Sequence, residues 1–109
     1  MKLSLYHSKD EKLTIDIVVY MNQDGQLILD ACDSGPIVEE LKGDWDYEYQ
    51  CIVKPEAIEL LAFALGVEAT DRLAILTAIQ QQFSVNDAYT QFGRFLETHN
   101  IPFERFTWT

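Results

Sequence analysis

The stretch Leu13-Thr14-Ile15-Asp16-Ile17-Val18-Val19-Tyr20-Met21, followed by Asn22-Gln23-Asp24-Gly25, decides the class of fold. It is rich in β-branched residues, and its odd positions 13, 15, 17, 19 and 21 are all apolar. A strand sends successive side chains to opposite faces, so this parity predicts one core-facing row. The Asp24-Gly25 pair then supplies the positive-φ backbone that a hairpin connection needs. Leu27, Leu29 and Ala31 mark the returning strand. Working backward, Leu3, Leu5 and His7 alternate with polar neighbours ahead of a polar turn at 8–12. Working forward, Gly35-Pro36 breaks the alternation, and a polar loop with a helical turn through 37–41 leads to Gly43. Tyr47, Tyr49, Cys51 and Val53 then alternate again, which predicts a fourth strand over 46–53.

At Pro55 the period changes. Proline costs no hydrogen bond at a first helical position, and Glu56 and Glu59 suit the positive end of the helix dipole. Ile58, Leu61 and Leu65 share one face of a helix over 55–65, with Gly66 as its stop. Thr70 can cap a second helix over 71–83 carrying Leu73, Leu76, Ile79 and Phe83. Ser84 and Asp87 have the spacing of a capping box for a third helix over 85–99. On it Val85, Ala88, Tyr89, Phe92, Leu96 and His99 recur at three and four. Residues 103–108, aromatic and alternating, predict a last strand that returns to the sheet. Four strands, two to three helices and one strand describe a single α+β domain over 1–109. Its mostly antiparallel sheet is covered on one face by the helices. The expected core is Ile15, Ile17, Val19, Leu27, Leu29, Leu61, Leu65, Leu76, Ile79, Phe92 and Leu96.

The chain has 109 residues, 48% of them hydrophobic, and a formal charge of −10 from eighteen acidic and eight basic side chains. One core of this size holds without metal or disulfide staples, and the apolar content excludes a disordered chain. So acidic a surface repels phosphate backbones, which argues against a nucleic-acid partner. No window approaches the roughly 18 apolar residues of a membrane span, and no h-region opens the chain. The expectation is a cytoplasmic protein without a membrane partner.

Known catalytic patterns do not emerge. There is no G-x-S-x-G elbow, and neither Cys32 nor Cys51 stands at a predicted helix N-terminus, where its thiol would be activated. Phosphate loops of the G-x-x-x-x-G-K-[ST] and G-x-G-x-x-G types are missing. The two cysteines read as small buried hydrophobes, although a bridge between neighbouring strands is geometrically conceivable. His99 reads as a helix-end structural residue and His7 as a strand-end residue. Asp44-Trp45-Asp46-Tyr47-Glu48 alternates its carboxylates like the start of a calcium loop, but the glycine and distal glutamate of that loop are lacking. The expectation is therefore no metal, no cofactor and no catalytic residues.

Charge distribution says more. Eight carboxylates lie between positions 24 and 48 (Asp24, Asp30, Asp33, Glu39, Glu40, Asp44, Asp46 and Glu48), opposed only by Lys42. Interleaved are Trp45, Tyr47 and Tyr49, residue types that anchor interfaces. One reading makes the aromatics core and the acids solubilising. The other makes Glu39, Glu40, Asp44, Trp45, Asp46, Tyr47 and Glu48 a partner-binding patch for a basic protein. In that reading Asp44, Asp46 and Glu48 point to one side of a strand, with Glu39 and Glu40 beside them. Trp45, Tyr47 and Tyr49 lie on the other side or at the rim.

Gly35-Pro36-Ile37-Val38-Glu39-Glu40, Asp46-Tyr47-Glu48-Tyr49 and Ile101-Pro102-Phe103-Glu104 also resemble elements of a family of small, acidic, uncharacterised bacterial proteins. Pro55-Glu56-Ala57, Leu60-Leu61, Ala64-Leu65-Gly66 and Trp108 extend the likeness; the chain departs from it at Gln50-Cys51 and at Arg105. Proteins of this type look like the immunity partners of bacterial toxins, which implies a non-enzymatic inhibitor of a basic toxin such as a nuclease. Two alternatives stand beside it. One is a small enzyme or ligand binder using a carboxylate, Asp16 or Asp30, in a pocket between sheet and helices. The other is a homo-oligomer built on an unpaired edge strand.

Overall fold

In the computed structural model, which describes residues 1–108, the chain forms five strands: β1 (Lys2–Lys9), β2 (Thr14–Met21), β3 (Leu27–Ser34), β4 (Asp46–Val53) and β5 (Glu104–Trp108). They lie in the order β1-β2-β3-β4-β5, every neighbouring pair antiparallel. Four α-helices accompany them: α1 (Pro36–Lys42), α2 (Ile58–Leu65), α3 (Arg72–Phe83) and α4 (Ala88–Thr98), with a single 3₁₀ turn at Pro55–Ala57 ahead of α2. The α+β class, the antiparallel sheet and the returning C-terminal strand are as the alternation predicts.

Parity builds the core. Ile17, Val19, Leu27, Leu29, Ala31, Cys51 and Val53 form one sheet face and are fully buried. Leu61, Ile75, Leu76, Ile79, Phe92 and Leu96 close over them from α2, α3 and α4. Each such aliphatic or aromatic side chain contributes roughly 1.5–3 kcal/mol when taken out of water. Two members of the expected core, Ile15 and Leu65, are only half-buried because they lie at the margins of the helical layer.

Local details depart from expectation in β1, at the cap of α3 and at the start of α4. In β1 the register shifts between Ser4 and Tyr6, so Leu3 and Leu5 face the core but His7 does not. Tyr6 takes the position opposite Ile17, while His7 stands opposite Asp16. The cap of α3 is Asp71 rather than Thr70, its carboxylate accepting from the Ala74 N–H at 3.0 Å. Helix α4 starts at Ala88, not at 85, because Ser84 donates its hydroxyl back to the Gln80 carbonyl at the end of α3. Val85 is consequently exposed, and Asp87 accepts from the Gln91 side chain instead of closing a capping box. His99 falls at the C-terminal cap of α4, exposed, with its ring 4.5 Å from that of Phe95.

Gly25 takes a φ of 78° in the hairpin turn, where the Asn22 side chain accepts from the N–H groups of Asp24 and Gln26. Among the described residues no helix is long and apolar enough to cross a membrane.

Candidate functional site

The end of the sheet that carries α1 gathers most of the residues the charge pattern singles out. Gly35 pins it together. Its backbone has a φ of 126°, and a Cβ there would stand 2.6 Å from the Lys12 carbonyl oxygen, so no other residue fits without displacing backbone. The Gly35 N–H donates to the Trp45 carbonyl at 3.1 Å, and the Ile37 N–H donates to Lys12 at 3.3 Å. These bonds tie the β1–β2 turn, the start of α1 and the loop before β4 into one corner. Asp10 stiffens the turn by accepting from the N–H groups of Lys12 and Leu13, which hold its carboxyl below the usual range.

On the outer side of α1, Pro36, Ile37, Glu39 and Glu40 form a groove of about 670 Å³ with Lys12 and Trp45. Trp45 is 54% exposed there and contributes nothing to the core. Asp44 lies in the same loop, exposed, before β4 begins. The expectation that Asp44, Asp46 and Glu48 share one side of a strand is therefore corrected: Asp44 and Trp45 precede the strand. Only Asp46 and Glu48 occupy its alternate positions, on the face without helices.

On the inner side of α1, Tyr47 and Tyr49 point toward the helices, as alternation requires, with their rings tilted by 31° at 5.4 Å between centroids. Tyr49 also meets the edge of Tyr89 and donates its hydroxyl to Asp33 Oδ1 at 2.9 Å. Burial, and then this bond to a carboxylate, push the Tyr49 phenol far above its ordinary range. Burial likewise raises the Asp33 carboxyl, against the lowering effect of the Tyr49 hydroxyl. Asp33, one of the eight carboxylates of the acidic stretch, is the one that the charge pattern did not single out. Carrying the odd row of Leu27, Leu29 and Ala31 one step further would have found it.

The opposite face of the sheet carries no helix. Its rows place Asp16, Cys32, Glu48 and Trp108 side by side, with Val18, Asp30, Gln50 and Phe106 in the next row. Asp16, one candidate acid, is exposed and bound to His7 Nδ1 at 2.7 Å. Asp30, the other, keeps a buried Oδ1 with no hydrogen-bond partner. Neither lies between sheet and helices, so the pocket imagined for them does not form. Phe106 and Trp108 stack at 6.0 Å and are about half exposed. Among the described residues no three His, Cys, Asp or Glu side chains come together as metal ligands.

The architecture defines the class: a five-stranded antiparallel meander with one helix-covered face and one bare face. The chain matches no protein family, no curated protein and no solved structure.

Proposed function

We propose that this is a non-enzymatic binding domain that docks a basic protein at the α1 corner, in the manner of an immunity-type inhibitor of a basic bacterial toxin. The observation that carries the reading is Trp45, more than half exposed in a groove whose other wall holds Glu39 and Glu40. An exposed indole flanked by carboxylates suits an arginine or lysine side chain, through cation–π attraction and ion pairing together. Asp44 adds to the field from the same loop and Asp46 continues it at the start of β4, whereas Tyr47 lies on the inner side of α1 and Glu48 on the bare face. Placed at a rim, such charges act mainly by steering the partner and raising the association rate.

The test is kinetic. A basic partner identified by cross-linking and mass spectrometry should associate more slowly as salt rises, since exposed charge is screened beyond about 8–10 Å. Replacing Glu39, Glu40 and Asp44 by their amides should slow association. Trp45→Ala should instead speed dissociation by about tenfold or more, the loss expected of an interface anchor. An affinity indifferent to salt, to the triple substitution and to Trp45→Ala would refute the reading.

A further inference from the structure

We propose that the cavity beneath α1, floored by Asp33 and Tyr47, is a binding site for a primary alkylammonium group. The cavity measures about 220 Å³, is walled by Leu13, Ile37, Val38 and Leu41, and has Asp33, Tyr47 and Lys42 as its polar members. That is below the roughly 300–1,000 Å³ of drug-sized sites, and it suits a short aliphatic chain. Asp33 and Tyr47 are direct neighbours across β3 and β4, so a carboxylate and an aromatic ring share one wall. This pairing recognises a cation on an apolar stem, the carboxylate supplying charge and the ring face its quadrupole.

The chain's own lysine shows the attraction. Lys42 Nζ lies 4.6 Å from the centroid of Tyr47, over the ring. Yet Lys42 makes no ion pair with Asp33: the ion pairs among the described residues are His7–Asp16, Lys54–Glu104 and Arg105–Glu97. Asp33 holds only the Tyr49 hydroxyl, on Oδ1. The half of the site that Lys42 occupies is the aromatic half; the carboxylate half lacks its cation. An incoming ammonium would displace Lys42 from Tyr47 and pair with Asp33, its methylenes packing on Leu13 and Leu41. The site is on the inner side of α1 and does not depend on docking at Trp45.

The experiment is an NMR titration of the purified protein with n-butylammonium, using n-butanol as the neutral control. Saturable shifts confined to Asp33, Leu41, Lys42 and Tyr47, with none from butanol, are expected. Asp33→Asn, which keeps an acceptor for Tyr49, should abolish them. Lys42→Ala should tighten binding several-fold, whereas Lys12→Ala, which removes an equal charge outside the cavity, should not. A second arm compares Nα-acetyl-lysine methylamide with 1,4-diaminobutane. Tighter binding of the lysine derivative assigns the site to a protein's side chain, and tighter binding of the diamine to a free amine. No saturable shift from any amine, equal binding by Asp33→Asn, or shifts spread over the surface carboxylates would overturn the proposal.

Discussion

Cys32 and Cys51 stand on adjacent strands but on opposite faces of the sheet: Cys32 lies opposite Glu48 on the bare face, and Cys51 lies opposite Leu29 in the core. A disulfide needs Cβ atoms that converge to about 4 Å, which opposed faces forbid. The bridge conceivable from sequence is thereby excluded for the folded chain.

The two thiols should also be slow to react. Burial pushes Cys51 up to about 12, and burial together with the charges of Asp46 and Glu48 pushes Cys32 up to about 11. Because the thiolate is the nucleophile, native protein at about pH 8 should react with a thiol reagent far more slowly than unfolded protein. Cys32 should react first. A folded-state pKa above the unfolded one means stability is complete below about 9 and declines as pH rises through about 11. Timed labelling read by mass spectrometry checks the order, and a monomer two hydrogen atoms lighter after mild oxidation would contradict the geometry.

Two phenylalanines give opposite expectations from the same residue type. Phe92 is fully buried on α4, edge-on to Phe83 and stacked with Phe95, whereas Phe63 on α2 is 87% exposed. Phe92→Ala should cost about 3–5 kcal/mol, the transfer loss plus the cavity left behind. Phe63→Ser should change stability by about 0.5 kcal/mol or less. Urea unfolding of both variants decides the matter; comparable losses would mean that Phe63 is covered in solution.

Legibility followed the reach of each signal. Parity over 13–21 was readable because a one-residue slip would turn Ile17 and Val19 outward. The apolar stripe of 72–83 was less legible: Leu76, Ile79 and Phe83 are buried as expected, but Leu73 is exposed and Ile75 is buried in its stead. The β1 bulge carries no mark in Ser4-Leu5-Tyr6, so the alternation of Leu3, Leu5 and His7 does not reveal that His7 leaves the core row. The start of α4 was misjudged because a serine hydroxyl can bond backward to a helix end as well as forward to a cap. At the site, alternation correctly separated Tyr47 and Tyr49 from Asp46 and Glu48. The same alternation placed β4 at 46–53, ahead of which Trp45 lies, but could not show the tie from Gly35 to the Trp45 carbonyl that holds the loop against α1. Asp33 does not stand out from the other carboxylates of 24–48, because only its inward place in the odd row, opposite Tyr47, distinguishes it.

Asp30 and Glu48 share the bare face of the sheet on adjacent strands. Burial raises the Glu48 carboxyl first, the Asp30 charge raises it further, and Lys2 opposes both. Asp30 itself keeps its buried Oδ1 unpartnered. With the folded pKa of Glu48 above its unfolded value, ionised Glu48 weighs against the native state at neutral pH. Its contribution to stability therefore grows as pH falls through the folded pKa toward the unfolded one. Asp30→Asn removes the neighbouring charge while keeping the side chain's size. Glu48 should then titrate lower, the melting temperature at neutral pH should rise, and the gain in stability on acidification should become shallower. Tyr20, raised by burial and then by the charges of Asp30 and Glu48, should also titrate lower in the variant. Carboxyl-detected NMR follows Glu48, ultraviolet absorbance follows the tyrosines, and thermal unfolding at several pH values follows stability. If Glu48 and Tyr20 both titrated unchanged in Asp30→Asn, the three side chains would not be electrostatically coupled across β2, β3 and β4.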